Sequence, residues 1–240
     1  MLSKIIIYFL LIVGLINNSI NSYTIEDLNR DVKFISSAVG INGTYLKAIA
    51  AVESNYNPLT VNINKINNKK MKIDEAVSLF DLMKKYNKSY PMKVCVNHNG
   101  NMLTYNYRDR MLISNLKNVK ANSVTVTTDK AIAFTFNRFV DAKNFVKSVV
   151  KKIDNVDIGL MQVNYAVWLK RKHVPAYVLL DPLTSLYIAS YILVYNFNMV
   201  NNMHDAVKVY HSWNDKYGNI YIAKIDNIIN NVIKLEDIDD

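Results

Sequence analysis

Glu53 stands where a carboxyl group could do acid–base work. Leu46, Ile49, Ala50 and Glu53 fall at i, i+3, i+4 and i+7, one face of a helix that is otherwise apolar. A carboxyl on such a face loses hydration, which favours the protonated form from which a general acid must start. In an arbitrary sequence the same residue is more often a helix-end glutamate reaching solvent, so spacing alone leaves both readings open. No Asp or Glu follows until Asp74 and Glu75, whose place in the pattern makes them helix-start residues. Ser54 has no His nearby and is no hydrolase nucleophile. His98, His173, His204 and His211 lack mutual ligand spacing. The single cysteine, Cys95, gives neither a disulfide nor a thiolate site and reads as a small packed residue. No metal and no cofactor are expected.

The elements that must carry these residues follow from periodicity and caps. Thr24 with Asp27 resembles a capping box ahead of Ile25, Leu28, Val32 and Ile35, and Gly40 supplies a stop. Thr44 is expected to cap a second helix, Tyr45–Asn55, which must end before Pro58. Thr60–Asn64 alternates like a strand. Asp74 is expected to cap a helix carrying Ala76, Leu79, Phe80 and Met83. Val94–Val96 and Met102–Tyr105 flank Asn99-Gly100, a strong hairpin signal. Ser123–Thr127 and Ala131–Phe136 read as strands, and Asp141–Lys152 as a helix. From 157 on the pattern turns helical: Asp181-Pro182 opens one helix through Leu186, Ser190, Leu193 and Phe197, and His204–Trp213 and Tyr217–Ile233 complete the set. The fold class read from this is mostly α, in two sequence pieces, 23–64 and 137–240, with a small α+β insertion at 65–136.

Composition bounds what such a chain can be. With 240 residues, half of them hydrophobic and 20% charged, it can bury a large core and is not disordered. The 32 asparagines are scattered in ones and twos, which argues against an aggregation-prone tract. Lys4, the apolar stretch Ile5–Ile16 and the polar run Asn17–Asn21 have the length of a secretory signal, not of a span of ~20 residues. Residues 1–22 are therefore expected to be a signal peptide, or an N-terminal anchor if uncleaved, and the rest to be exported to the periplasm. Charge is concentrated: residues 59–156 carry 18 basic and 7 acidic side chains, while both flanks are nearly neutral. An anionic wall polymer, lipid headgroups or an acidic protein face would suit that segment, as would plain solvation. No aromatic-interleaved basic motif specifies nucleic acid.

Longer strings sharpen the reading. Ala51-Val52-Glu53-Ser54-Asn55-Tyr56-Asn57-Pro58 resembles the catalytic-helix motif of the soluble-lytic-transglycosylase family, Glu-Ser, two residues, Asn-Pro. Asp157-Ile158-Gly159-Leu160-Met161-Gln162-Val163-Asn164 is similar to its second motif, in the version found in the branch attached to conjugative and type IV or type III secretion machinery. Asp181-Pro182 matches a third element. Ala206-Val207-Lys208-Val209-Tyr210-His211-Ser212 aligns with the fourth, with His211-Ser212-Trp213 in place of the usual Asn-Ala-Gly, and Tyr221 matches the closing tyrosine. The resemblance covers roughly 41–64 and 134–225.

That resemblance implies a lysozyme-like fold and cleavage of the β-1,4 bond between N-acetylmuramic acid and N-acetylglucosamine in peptidoglycan. Glycosidic cleavage usually takes two carboxylates; the family implies one. Glu53 would protonate the bridging oxygen, the substrate's N-acetyl group would assist, and Glu53 would then deprotonate the 6-hydroxyl to leave a 1,6-anhydro end. Ser54 would steer substrate or carboxylate. Met161, Gln162 and Asn164 would line sugar subsites, with Gly159 permitting close approach. Tyr210 would reach Glu53 across the cleft, and Tyr221 would contribute to binding. Without the alignment, Tyr210 reads as a core tyrosine. The implied partners are peptidoglycan strands and subunits of a secretion machine. Two other readings stand beside this one: a true hydrolase of the same polymer, needing a carboxylate from the insertion, and a catalytically silent wall-binding or assembly subunit.

Overall fold

The computed structural model describes residues 23–86, 92–98, 101–106 and 124–233; the expected signal segment and the Asn99-Gly100 turn lie outside these. Among the described residues the protein is mostly helical, with eight α-helices and two four-stranded antiparallel sheets. Helix α1 (Ile25–Val39) begins with the expected capping box, Thr24 and Asp27 satisfying each other's backbone N–H, and ends on Gly40 at φ 76°. Helix α2 (Gly43–Ser54) is capped by Asn42, not Thr44: the Asn42 side chain accepts from the Thr44 N–H at 2.9 Å. An amide two residues upstream reaches that donor, so the helix starts earlier than expected.

Strand β1 (Thr60–Ile63) leads into the insertion, which holds β2 (Lys69–Met71), α3 (Ile73–Tyr86), β3 (Met92–His98), β4 (Asn101–Asn106) and β5 (Val124–Thr128). Asp74 lies inside the first turn of α3 instead of capping it. The sheet order is β2-β5-β3-β4, and β3 and β4 pair from Lys93↔Asn106 to His98↔Asn101, the register expected of the hairpin.

Strand β6 (Ile132–Thr135) corrects the expected boundary at 136. It pairs with β1, Ile63 opposite Ile132 and Thr60 opposite Thr135, and so belongs to the other sheet. Helix α4 (Phe139–Val149) follows, then two strands absent from the sequence reading, β7 (Val156–Ile158) and β8 (Val163–Asn164). This sheet runs β6-β1-β7-β8. Val61, Ile63, Val156, Ile158 and Val163 are buried, whereas Asn62, Asp157 and Asn164 form a row across three strands, Asn62 opposite Asp157 and Asp157 opposite Asn164. Side chains alternate along strands, so one face joins the core and the other carries this polar row.

The C-terminal part is helical: α5 (Tyr165–Trp168), two 3₁₀ turns, α6 (Pro182–Val200), α7 (Met203–His211) and α8 (Asp215–Ile228). Asp181 caps α6, its Oδ2 accepting from the N–H of Thr184 at 2.8 Å with Pro182 in the first turn. Among the described residues α6 is the one helix long and apolar enough to cross a bilayer, and half of it is buried. It packs against α1 and α7, which is what a central core helix does. The insertion docks on this body through rings: Tyr86 of α3 meets Phe136 and Phe145 edge-on at 5.1 and 5.2 Å.

Candidate active site

Glu53 occupies the last turn of α2, its side chain 16% exposed. The chain then reverses sharply, with Asn55 and Tyr56 both at positive φ, 50° and 62°. For a tyrosine that conformation costs energy, and strain of this kind gathers at functional sites. Ser54 does not line the cleft beside Glu53. It is buried, and its hydroxyl proton is shared between the carbonyls of Ala50 at 3.1 Å and Leu160 at 2.7 Å. The expected substrate contact is instead a tie between α2 and the 159–162 turn.

That turn is built around Gly159 at φ 85°. A β-carbon there would lie 1.8 Å from the carbonyl oxygen of Leu179. The close approach that glycine permits is therefore to the protein's own backbone. Met161 is fully buried; its N–H donates to Ser185 Oγ at 3.1 Å, so its side chain is not a subsite wall. Gln162, at φ 47°, does face the cleft, its amide held by the carbonyls of Thr60 (3.0 Å) and Gly159 (2.8 Å).

Beside it Asp157 and Asn164 of the polar row join Asn64 and Asn155 in a closed network. Asp157 accepts hydrogen bonds from the side-chain amides of Asn64 (2.9 Å) and Asn164 (2.7 Å). Both amides also donate to Asn155 Oδ1, at 3.2 and 2.8 Å. Burial pushes the Asp157 carboxyl up to about 6 against the pull of these two bonds, and the nearby Glu53 charge adds to the rise. A second carboxyl thus shares the cleft with Glu53, on β7 and not on the insertion.

The opposite wall comes from α7 and the turn that follows it, with α8 packed behind. Tyr210 donates its hydroxyl proton to the Met161 carbonyl at 2.8 Å and not to Glu53, correcting the expected contact. Burial, followed by the charges of Glu53 and Asp157, holds that phenol well above the usual tyrosine range. Tyr221 is 3% exposed and does not line the cleft. Its hydroxyl sits close enough to Glu53 for burial and that charge to hold its proton firmly, yet falls short of a well-formed hydrogen bond. Its ring stacks on His211 at 4.6 Å and 5°, and His211 Nδ1 lies 3.7 Å from Glu53 Oε1. Tyr221 therefore backs the site without contacting ligand.

The cleft enclosed by these walls has a volume of about 560 Å³. Of the predicted site residues, Glu53, Gln162, Asn164 and Tyr210 line it; Ser54, Met161 and Tyr221 do not. Asp157, Asn62, Asn64, His211 and both tryptophans were not among the predicted site residues, and all line it. A signal for some was present: Asn62 and Asn64, like Asn155 and Asp157, are polar pairs at i, i+2 interleaved with apolar residues, one face of a strand. Among the described residues no three His, Cys, Asp or Glu side chains gather as metal ligands. No protein-family model, curated protein or solved structure matches the chain.

Proposed function

We propose that the protein is a lysozyme-like lytic transglycosylase of peptidoglycan. The observation that carries this reading is convergence: the Glu-Ser motif, the Gly-Leu-Met-Gln motif and the Tyr210 segment, about 100 and 50 residues apart, meet around one cleft with Glu53 in its wall. A volume near 560 Å³ lies within the range usual for ligand sites, roughly 300–1,000 Å³. In the first step Glu53 gives its proton to the bridging oxygen as the C1–O bond breaks. In the second the 6-hydroxyl oxygen bonds to C1 and its proton returns to Glu53, so no water is consumed. Export, and service to a secretion or conjugation apparatus, extend the same reading from the signal-like N-terminus and the resemblance.

One observation favours a second reading, hydrolysis. Asp157 supplies the second carboxyl that a lysozyme-type mechanism needs, in the wall of the same cleft as Glu53. Digestion of purified cell wall with mass analysis of products separates the two. Anhydro ends, one water lighter than reducing ends, support transglycosylation; reducing ends overturn it. Wall left intact by a folded chain would favour the silent subunit.

A further inference from the structure

Trp168 and Trp213 are the only tryptophans in the chain, and both line the cleft that holds Glu53. Trp213 is 63% exposed and stacks on no ring among the described residues. An exposed indole in a cleft wall offers a ligand a large apolar area to cover. Hydrogen bonds tie the backbone around it. Ser212 Oγ accepts the Asn214 N–H at 3.1 Å, Asn214 Oδ1 accepts the Lys216 N–H at 3.1 Å to cap α8, and Lys208 of α7 bonds Asp215 of α8 at 2.7 Å. Trp168 closes the short helix α5 that Asn164 caps, and its ring meets Tyr195 edge-on at 5.7 Å and 80°.

We infer that Trp213 and Trp168 form an aromatic platform for pyranose rings entering the cleft, with Trp213 the dominant contact. The chemistry of the lining points to a sugar. An indole offers a flat apolar face, while carboxamides lining the same cleft suit a ligand edged with hydroxyl and acetamido groups; Asn62 is one whose amide makes no hydrogen bond among the described residues. That the sugar is a peptidoglycan strand rests on the proposed function.

Because both tryptophans lie in the site, intrinsic fluorescence reports occupancy directly. The probe is soluble, peptide-free glycan of alternating N-acetylglucosamine and N-acetylmuramic acid, titrated into the Glu53→Gln chain so that it is bound and not cut. The expected result is a saturable change in emission, with Kd by calorimetry weakened about tenfold by Trp213→Ala and largely kept by Trp213→Phe. In the otherwise unaltered chain, Trp213→Ala should raise KM with kcat nearly unchanged, the mark of lost uniform binding. Unchanged Kd and KM in Trp213→Ala, or an equal response to free stem peptide, overturns the platform. Its failure is distinguishable from failure of the proposed function: cleavage with an unchanged KM sinks the platform alone, whereas tryptophan-dependent binding without cleavage sinks the enzymatic reading alone.

Discussion

The two sheets have the same strand count and the same antiparallel pairing, yet among the described residues only one holds a candidate site. In the insertion, β5 buries Val124, Val126 and Thr128 and turns Thr125 and Thr127 outward, where Thr127 Oγ1 bonds Asn68 at 2.8 Å. In the body, β1, β7 and β8 show the same alternation, but their outward row of Asn62, Asp157 and Asn164 faces a second wall made by α2 and α7. Enclosure is the difference. A polar row left in solvent titrates and hydrogen-bonds as usual, while the same row partly cut off from water has its proton affinity reset, as at Asp157.

The largest expected effect belongs to the enclosed region. Glu53→Gln keeps the shape and removes the acid, so wall clearance should fall by roughly 10²–10⁴; clearance near the unaltered rate would remove the basis for the mechanism.

Asp157 gives the next. Burial lifts its carboxyl to about 6 in the folded chain, above the ordinary aspartate value of 3.8 that it regains on unfolding, so between these values the folded state holds more protons. Stability associated with this group is therefore fully present below about pH 4 and is lost as pH rises through about 6, by roughly 2–3 kcal/mol. Thermal unfolding at pH 4, 5, 6 and 7 should show this loss, and Asp157→Asn should flatten it. A stability curve of the same shape in both chains would contradict the assignment.

The contrast sharpens when the second sheet is removed. Ile66 and Thr128 are joined by two hydrogen bonds, the Thr128 N–H to the Ile66 carbonyl at 2.9 Å and the Ile66 N–H to Thr128 Oγ1 at 2.8 Å. A turn of ~2–4 residues can therefore replace 67–127. Cleavage of soluble glycan should persist in that variant. Sedimentation with whole sacculi should drop at least about tenfold if the basic lobe grips the wall, and in the full chain it should weaken with salt as charges are screened beyond ~8 Å. Unchanged sacculus binding would leave docking to a machine subunit as the better account of the charge. Smallest is Tyr86→Ala, which removes the insertion's ring contacts with Phe136 and Phe145 and should cost ~1–2 kcal/mol without altering kcat.

Elements with end signals were legible from sequence: the Thr24–Asp27 box, Gly40, and Asp181 with Pro182 each mark a boundary found in the structure. Asn42 was passed over because Thr44 is also a good cap, and only the backbone geometry chooses between them. β7 and β8, three and two residues long, are too short for periodicity to register. β6 was legible as a strand, but its partner was not, since pairing with β1 spans some 70 residues. The same limit governed the site. Glu53 and Gln162 were read from local strings, but Ser54, Met161 and Tyr210 spend their polar groups on partners about 50 to 106 residues away or on Ser185, which no local pattern shows.

The Ser54–Leu160 bond, spanning 106 residues, also bears on time. Closing so long a loop brings its entropic cost before any reward, and contacts of high sequence separation form slowly. Local elements such as α1, α2 and the β3–β4 hairpin have short-range contacts that can form first. Glu53 then exists early on an exposed helix, but the turn at 159–162 that completes its surroundings must dock from the far side of the insertion. The surroundings of Glu53 should therefore be completed in the last folding phase, lagging behind helix formation.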